Sequence, residues 1–290
     1  MKIVRCVIFG LVIILVACHK NVTKKHSPDF TTTSKNEPAL VWTSPIPPDS
    51  SALPPAIFYT PHQDDETLGM GASISGQSRS GRPVFVVLLT NGANQNMLNY
   101  LQSIHASSGM QDVIDARNNE FIAACKALGA TRIYISNAGK GFDENITLEA
   151  LIAEFKNTMN YFSAMFPGAT HKTISGNCDP YNPSCEKMPA HQAAATALHE
   201  LCNSGKITDG TLFRVYFYYG NAENCTRPCN WKKPVAPADK LKRQHAINEY
   251  KLVDEKNHRY GLAYWHSVDV LFNNSWDSNF ESVDSMRNDY

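Results

Sequence analysis

Two apolar runs of strand length stand out in this chain. Ala56-Ile57-Phe58-Tyr59 and the stretch from Pro83 to Leu89 carry almost no polar positions. Such runs lack the alternation of a half-exposed strand and predict strands buried on both faces of a sheet. Between them, Glu66 to Ser78 reads as a helix, with Gly69 and Gly71 allowing close packing, and the second run ends at the turn Thr90-Asn91-Gly92. Met97 to Gly109 is polar and reads as a loop over the site. Asp115 to Leu128 has Phe121, Ala124, Cys125 and Leu128 at helical spacing, with Gly129 as a stop. A short strand at Arg132–Ile135, a helix from Ile146 to Phe162 and a strand starting near Thr173 follow. Then come a helix from Pro189 to Leu201 with proline at its start, a strand from Leu212 to Tyr219, and a helix from Ala238 to Val253. Strand and helix in alternation predict βαβ units, an α/β fold and a mainly parallel sheet. In such sheets the functional site lies at the carboxyl ends of the strands, where residues 62–65 and Asn91 fall.

The first residues follow a different pattern. Lys2 and Arg5 precede an apolar run from Val7 to Val16, too short to span a bilayer, and Leu15-Val16-Ala17-Cys18 then reads as a lipobox. The expectation is a signal peptide over residues 1–17 and a lipid on Cys18, which places the protein on the bacterial cell envelope with its membrane contact through that anchor. Residues 18–54 are rich in Ser, Thr, Pro, Lys and Asn and read as a tether whose Pro-rich end wraps onto the fold. Residues 55–290 form the domain.

Composition narrows the function classes. A length of 290 residues with 43% hydrophobic content suits one large α/β domain or at most two small ones. The 27 basic residues equal the 27 acidic ones, so no overall field favours nucleic acid. Beyond Cys6 and Cys18, six cysteines remain: Cys125, Cys178, Cys185, Cys202, Cys225 and Cys229. In an exported protein they suggest local disulfides, Cys178 with Cys185 and Cys225 with Cys229. Cys125 and Cys202 are then either a third pair or buried free thiols, and a zinc knuckle of the four loop cysteines is the rival arrangement.

The candidate chemistry sits in Thr60-Pro61-His62-Gln63-Asp64-Asp65-Glu66, directly after the first apolar run. One imidazole and three carboxylates so close together are costly unless a cation binds, and imidazole with carboxylate is a zinc-hydrolase donor set. His62 and Asp65 can face one centre from a tight turn or first helical turn. His191, in the first turn of the helix begun by Pro189, is the candidate third ligand. Three ligands leave zinc an open position for water, whose pKa it lowers. Asp64 is the candidate general base, and Glu66 is read as capping or charging the helix N-terminus. His19, His26, His105, His171, His199, His245 and His258 read as surface or loop residues.

Pro61-His62-Gln63-Asp64-Asp65-Glu66 resembles the His-Pro-Asp-Asp-Glu signature of the PIG-L/LmbE-like zinc-dependent de-N-acetylases. Thr90-Asn91-Gly92 resembles the turn after that family's second strand, and Arg117-Asn118-Asn119-Glu120 with Leu128-Gly129 resembles its Arg-x-x-Glu helix. The resemblance implies a Rossmann-like three-layer sandwich, Zn2+ on His62, Asp65 and His191, and Asp64 as base. It also implies Arg117 and Asn91 at the substrate, Glu120 orienting Arg117, and hydrolysis of the acetamide of an N-acetylglucosamine-type sugar or glycoconjugate. The sequence departs from the family where its His-x-x-His motif becomes Met188-Pro189-Ala190-His191. The first histidine and the aspartate of that motif, which serve the oxyanion or the leaving amine, are missing. His266, in Tyr264-Trp265-His266-Ser267-Val268, is the candidate replacement, and Tyr100, Trp231, Tyr264 and Trp265 are candidate sugar-stacking residues. A lipoprotein that keeps fold and metal but only binds a glycan is the alternative reading.

Overall fold

The computed structural model describes residues 37–45, 53–176, 188–214, 231–265 and 269–284, and this range lies within one compact unit. The signal segment, Cys18, the four loop cysteines 178, 185, 225 and 229, and His266 lie outside the described residues. Among the described residues no helix is long and apolar enough to cross a membrane.

In chain order the elements are β1 (Ala39–Thr43), β2 (Ala56–Thr60), α1 (Asp65–Leu68), α2 (Gly71–Arg79), β3 (Val84–Leu88), α3 (Gln95–Ser103), α4 (Met110–Leu128), β4 (Arg132–Ile135) and the single turn α5 (Ser136–Gly139). They continue as α6 (Leu148–Met165), β5 (Thr170–Ile174), α7 (Pro189–Asn203), β6 (Gly210–Arg214), β7 (Trp231–Pro234), α8 (Pro237–Lys251), β8 (Val253–Asp254), β9 (Arg259–Tyr260), α9 (Asp269–Asp277) and β10 (Phe280–Asp284). The sheet runs β1-β4-β3-β2-β5-β6-β10-β7. Its centre, β4-β3-β2-β5-β6, is parallel, while β1, β10 and β7 are added antiparallel.

The buried strands explain the continuous apolar runs. In β2, Ala56 and Phe58 pack under α4, α8 and α9 with Phe121, Ile247, Tyr250 and Phe272. Ile57 and Tyr59 face the other way, onto α6 and α7 with Phe155, Phe162 and Leu198. The result is a three-layer α/β sandwich, as expected. Full burial of one such aromatic or branched side chain stabilises by roughly 1.5–3 kcal/mol, so two apolar faces per strand make these central strands the most firmly held part of the fold.

Several elements differ from the sequence reading. β1 forms within the expected tether, pairing with β4 from Ala39 opposite Ile135 to Thr43 opposite Arg132. It is an edge strand with Leu40 and Val41 exposed, so it needs no two-sided apolar run. The helix expected over Glu66–Ser78 breaks at Gly69-Met70 into α1 and α2. The expected loop from Met97 contains α3, started by Asn94, whose side-chain oxygen accepts the N–H groups of Asn96 and Met97. Its buried Met97 and Leu101 pack on Val113, Ala116 and Leu262. Cys125 and Cys202 are free thiols rather than a pair. His171 is not on the surface: it is buried in β5, with its Nδ1 2.9 Å from the Tyr59 hydroxyl.

The strand order fixes where a site can form. From β2 the chain moves outward through β3 and β4, then returns to place β5 on the other side of β2. Connections leaving β2 and β5 therefore diverge, and the crevice between them opens at their carboxyl ends.

Candidate metal centre

The loop after β2 enters this crevice from one side. The Thr60 hydroxyl donates to the carbonyl oxygen of His62 at 2.6 Å, and the His62 N–H donates to Asp65 Oδ2 at 2.9 Å. This tight turn puts the His62 ring and the Asp65 carboxylate on one side of the start of α1. The start of α7, which follows β5, enters from the other side. Gly176 permits that approach, because a Cβ there would lie 2.6 Å from Gln192 Cα.

Three donors converge as a result. Asp65 Oδ2 is 3.2 Å from His62 Nδ1 and 2.9 Å from His191 Nε2, and the two nitrogens are 3.1 Å apart. These are the residues expected to ligate zinc, and they form the cluster able to hold a metal ion among the described residues. A carboxylate oxygen and two imidazole nitrogens have no reason to crowd around one point without a cation or proton between them. The donor chemistry fits zinc.

The electrostatics agree. Asp65 and Glu144 flank the two ring nitrogens of His62, and Asp64 faces the guanidinium of Arg117, so three carboxylates crowd a site with one permanent positive charge. Burial opposes charge on His62, yet its bonds to Asp65 and Glu144 prevail and push its pKa up to about 10. Burial would raise Asp65, but the two imidazoles outweigh it and hold the carboxyl well below its ordinary range. Asp64 goes the opposite way: burial first, then the charge of Asp65, raise it to about 6, against the pull of Arg117. One carboxylate is thus committed to ionisation and its neighbour poised to exchange a proton.

Arg117 projects from α4 beneath this pair. Its Nη1 donates to the Gly92 carbonyl at 2.8 Å, and its Nη2 lies 3.6 Å from Asp64 Oδ2. Gly92 has φ +65°, and a Cβ there would lie 2.0 Å from Gln63 Oε1 and 2.7 Å from Arg117 Nη1, so only glycine fits. Gln63, buried, donates from Nε2 to the Asn91 carbonyl and to Asn118 Oδ1, both at 3.0 Å, clamping the two loops together. Asn91 is half-buried, and its side-chain oxygen accepts the Ala93 N–H at 3.0 Å.

Two sequence expectations are corrected. Glu66 does not charge a helix end. It is fully buried, and its Oε1 accepts from the Tyr250 hydroxyl at 2.8 Å and the Thr67 hydroxyl at 2.6 Å, while burial pushes it up to about 8. Glu120 does not orient Arg117 by a hydrogen bond. Its carboxylate accepts the N–H groups of Tyr260, Leu262 and Ala263 at 3.2, 2.8 and 3.3 Å. It thereby ties down the segment leading to Tyr264 and Trp265. Of those two, Tyr264 is a core residue bonded to Asn273, whereas Trp265 is 58% exposed. Tyr100 is half-buried against the α3–α4 core.

Glu144 was missed in the sequence. Its Oε2 lies 3.0 Å from His62 Nε2. Burial would raise it, but the bond to His62 holds it below the usual carboxylate range. It sits in the loop after β4, and its only sequence signal is an acidic pair, Asp143-Glu144, at the same sheet edge. At the position of the missing motif, Ala190 is fully buried in the apolar core and Met188 caps α7, so neither offers a polar group.

Residues 57–173, spanning β2 to β5, match the family model described as GlcNAc-PI de-N-acetylase, PIG-L. The matched segment is similar to a PIG-L domain. It contains His62, Asp64, Asp65 and Arg117, and α7 adds His191 just beyond it. Similar solved structures include Dbv21, the A40926 pseudoaglycone deacetylase, with TM-score 0.54 and 18% identity over 79% of this chain and 95% of that one. A triple mutant of a deacetylase of the teicoplanin biosynthetic pathway has TM-score 0.53 and 18% identity over 76% and 88%. The zinc-inhibited form of teicoplanin deacetylase Orf2 has TM-score 0.53 and 13% identity over 79% and 96%. At these identities the likeness establishes the fold alone. No curated protein matches the sequence.

Proposed function

We propose that this chain is a zinc-dependent N-deacetylase acting on an N-acetylglucosamine-type sugar or glycoconjugate, exported and tethered to the bacterial cell envelope through a lipid on Cys18. The observation that carries the enzymatic reading is the convergence of His62, Asp65 and His191 on one point, with the raised carboxyl of Asp64 next to them. The PIG-L match supplies the amide substrate class. The anchor rests on the N-terminal order of charge, apolar run, small residue and cysteine.

His62, Asp65 and His191 would hold the metal. A zinc ion held there supplies Lewis-acid polarisation of the acetamide oxygen and makes water a nucleophile near neutral pH. Asp64 takes a proton from the attacking water as the new C–O bond forms at the amide carbon. When the C–N bond breaks, the departing nitrogen needs a proton, and Asp64 then carries the one it has just accepted. Acetate and a free amino sugar result. Arg117 keeps Asp64 from rising further and so keeps it able to act as a base near neutral pH. His266 is the proposed partner for the oxyanion or amine in place of the imidazole absent at Met188.

A protein that binds a glycan without cleaving it is the second reading, and it rests on Met188 and Ala190 standing where polar side chains are expected. Acetate release from a panel of N-acetylated amino sugars and their oligomers, with zinc-loaded protein, separates the two. Turnover abolished by Asp64→Asn supports the enzyme. Glycan binding with no turnover across the panel supports the binder. Incorporation of labelled fatty acid, lost in Cys18→Ala, tests the anchor.

A further inference from the structure

The two nitrogens of His62 have different partners. Nδ1 faces Asp65 Oδ2 and His191 Nε2, while Nε2 faces Glu144 Oε2 at 3.0 Å. A carboxylate can only accept a hydrogen bond, and a neutral imidazole has one N–H. We propose that Glu144 is the positioning residue of the metal centre: it holds the His62 proton on Nε2 and so presents the Nδ1 lone pair, in a fixed ring orientation, to the metal. This rests on reading His62, Asp65 and His191 as a metal centre.

The loop that carries Glu144 is built to deliver it. Beyond the end of β3, the Phe142 N–H donates to the Leu89 carbonyl at 2.9 Å, and the Asn91 N–H donates to the Phe142 carbonyl at 3.0 Å. This parallel bridge at Thr90 and Phe142 extends the sheet by one rung towards the site. Gly141 makes the approach possible. Its φ is +68°, and a Cβ would lie 2.5 Å from the Thr90 carbonyl carbon, the Thr90 oxygen and the Asn91 nitrogen. The Phe142 ring anchors the loop from below, buried against Phe155. Asp143 then turns the chain by accepting the Asn145 N–H at 2.9 Å. Backbone bonds on one side and a buried ring on the other set the position of Glu144, whose side chain is 30% exposed. The pairing is thus supported by structure far more rigid than a chance meeting of two surface side chains.

Carboxylates that accept the free N–H of a ligating histidine raise its basicity and fix its orientation, and removing one weakens metal binding by about ten- to hundredfold. The test is zinc affinity of the full purified chain, measured by competition with a chromophoric chelator, with melting of the zinc-free protein as a folding control. Glu144→Gln is expected to weaken zinc binding by about tenfold or more with the zinc-free melting temperature unchanged, and Glu144→Asp to recover part of the loss. Gly141→Ala, which touches no donor, is expected to weaken binding in the same direction. Nitrogen-15 spectra of the zinc-loaded native protein are expected to show His62 protonated at Nε2. Zinc affinity of Glu144→Gln within twofold of native overturns the proposal, as does a loss confined to KM for the sugar, which would make Glu144 a substrate contact. A native protein that binds no zinc overturns the metal centre and this proposal together. A native protein that binds zinc but cleaves no amide overturns the proposed reaction and leaves the role of Glu144 standing.

Discussion

Arg117 meets Asp64 beneath the metal centre, Nη2 to Oδ2 3.6 Å, while its other terminal nitrogen is held by the Gly92 carbonyl at 2.8 Å. The guanidinium is nearly buried and braced, so the two charges cannot drift apart. This makes Arg117 the principal brake on a carboxyl that burial and Asp65 push up to about 6. A base works in its ionised form, so turnover is expected to fall as pH drops through the Asp64 pKa. Replacing Arg117 with Met should move that acidic limb to higher pH. It should also cost about 1–3 kcal/mol of stability, because the buried Gly92 carbonyl loses its donor. A pH–rate profile that keeps its acidic limb would refute the coupling.

Asp64 itself is the sharpest test of the chemistry. Asp64→Asn keeps the size of the side chain and removes its basicity. The expected loss is about 10²- to 10⁴-fold in kcat, the usual worth of a positioned base. Zinc content and melting temperature should stay near native, since the converging donors belong to other residues. Metal analysis alongside steady-state kinetics checks both halves. Near-native turnover in the variant would remove Asp64 from the mechanism.

The buried strands β2, β3 and β4 were legible in the sequence because a strand covered on both faces leaves a run with no polar interruption. The helices α4, α6 and α7 were legible through their spacing and their Gly or Pro ends. β1 was not, because an edge strand with exposed Leu40 and Val41 has no such run and lies among Ser, Thr and Pro. α3 was hidden by polar residues that face solvent, with only Met97 and Leu101 fully buried. At the site, the convergence of His62, Asp65 and His191 was legible because an imidazole and carboxylates in one short stretch after a strand, with a second imidazole at a helix start, are unusual chemistry. Glu66, Glu120 and Glu144 were misread or missed for one shared reason. A glutamate's role depends on what long-range packing puts within its reach: Tyr250, the 260–263 backbone and His62, respectively.

Glu120 links the C-terminal segment to the site helix, and this gives a stability prediction. One carboxylate receives three backbone N–H groups in a buried place. Glu120→Ala leaves all three without a protein partner, at about 1–3 kcal/mol for each that water fails to reach. Urea unfolding is expected to show a loss of at least 2 kcal/mol, and amide exchange at Leu262 and Ala263 should accelerate more than exchange in β2 or β3. Uniform acceleration across the sheet would mean that Glu120 supports the whole core rather than this segment.

Gly176 offers a way to damage the metal centre without touching a donor. It sits just past β5, and a Cβ there would lie 2.6 Å from Gln192 Cα, 3.1 Å from the Gln192 nitrogen and 3.2 Å from the His191 oxygen. Those are backbone atoms in the first turn of α7, so the strain cannot be relieved by turning a side chain. Gly176→Ala must push the start of α7 away from the sheet, carrying His191 with it. Its Nε2 now lies 2.9 Å from Asp65 Oδ2 and 3.1 Å from His62 Nδ1, and a shift of even half an ångström spoils a geometry that zinc needs within a few tenths. Zinc affinity is therefore expected to fall by at least tenfold. The rest of α7, anchored by Ala194, Leu198 and Leu201 in the core, should keep its far-ultraviolet dichroism near native. Titration with zinc at fixed chelator concentration reads the first, and dichroism of the same samples reads the second. If affinity were unchanged, α7 would not be held where these contacts place it, and His191 would lose its claim to be the third ligand.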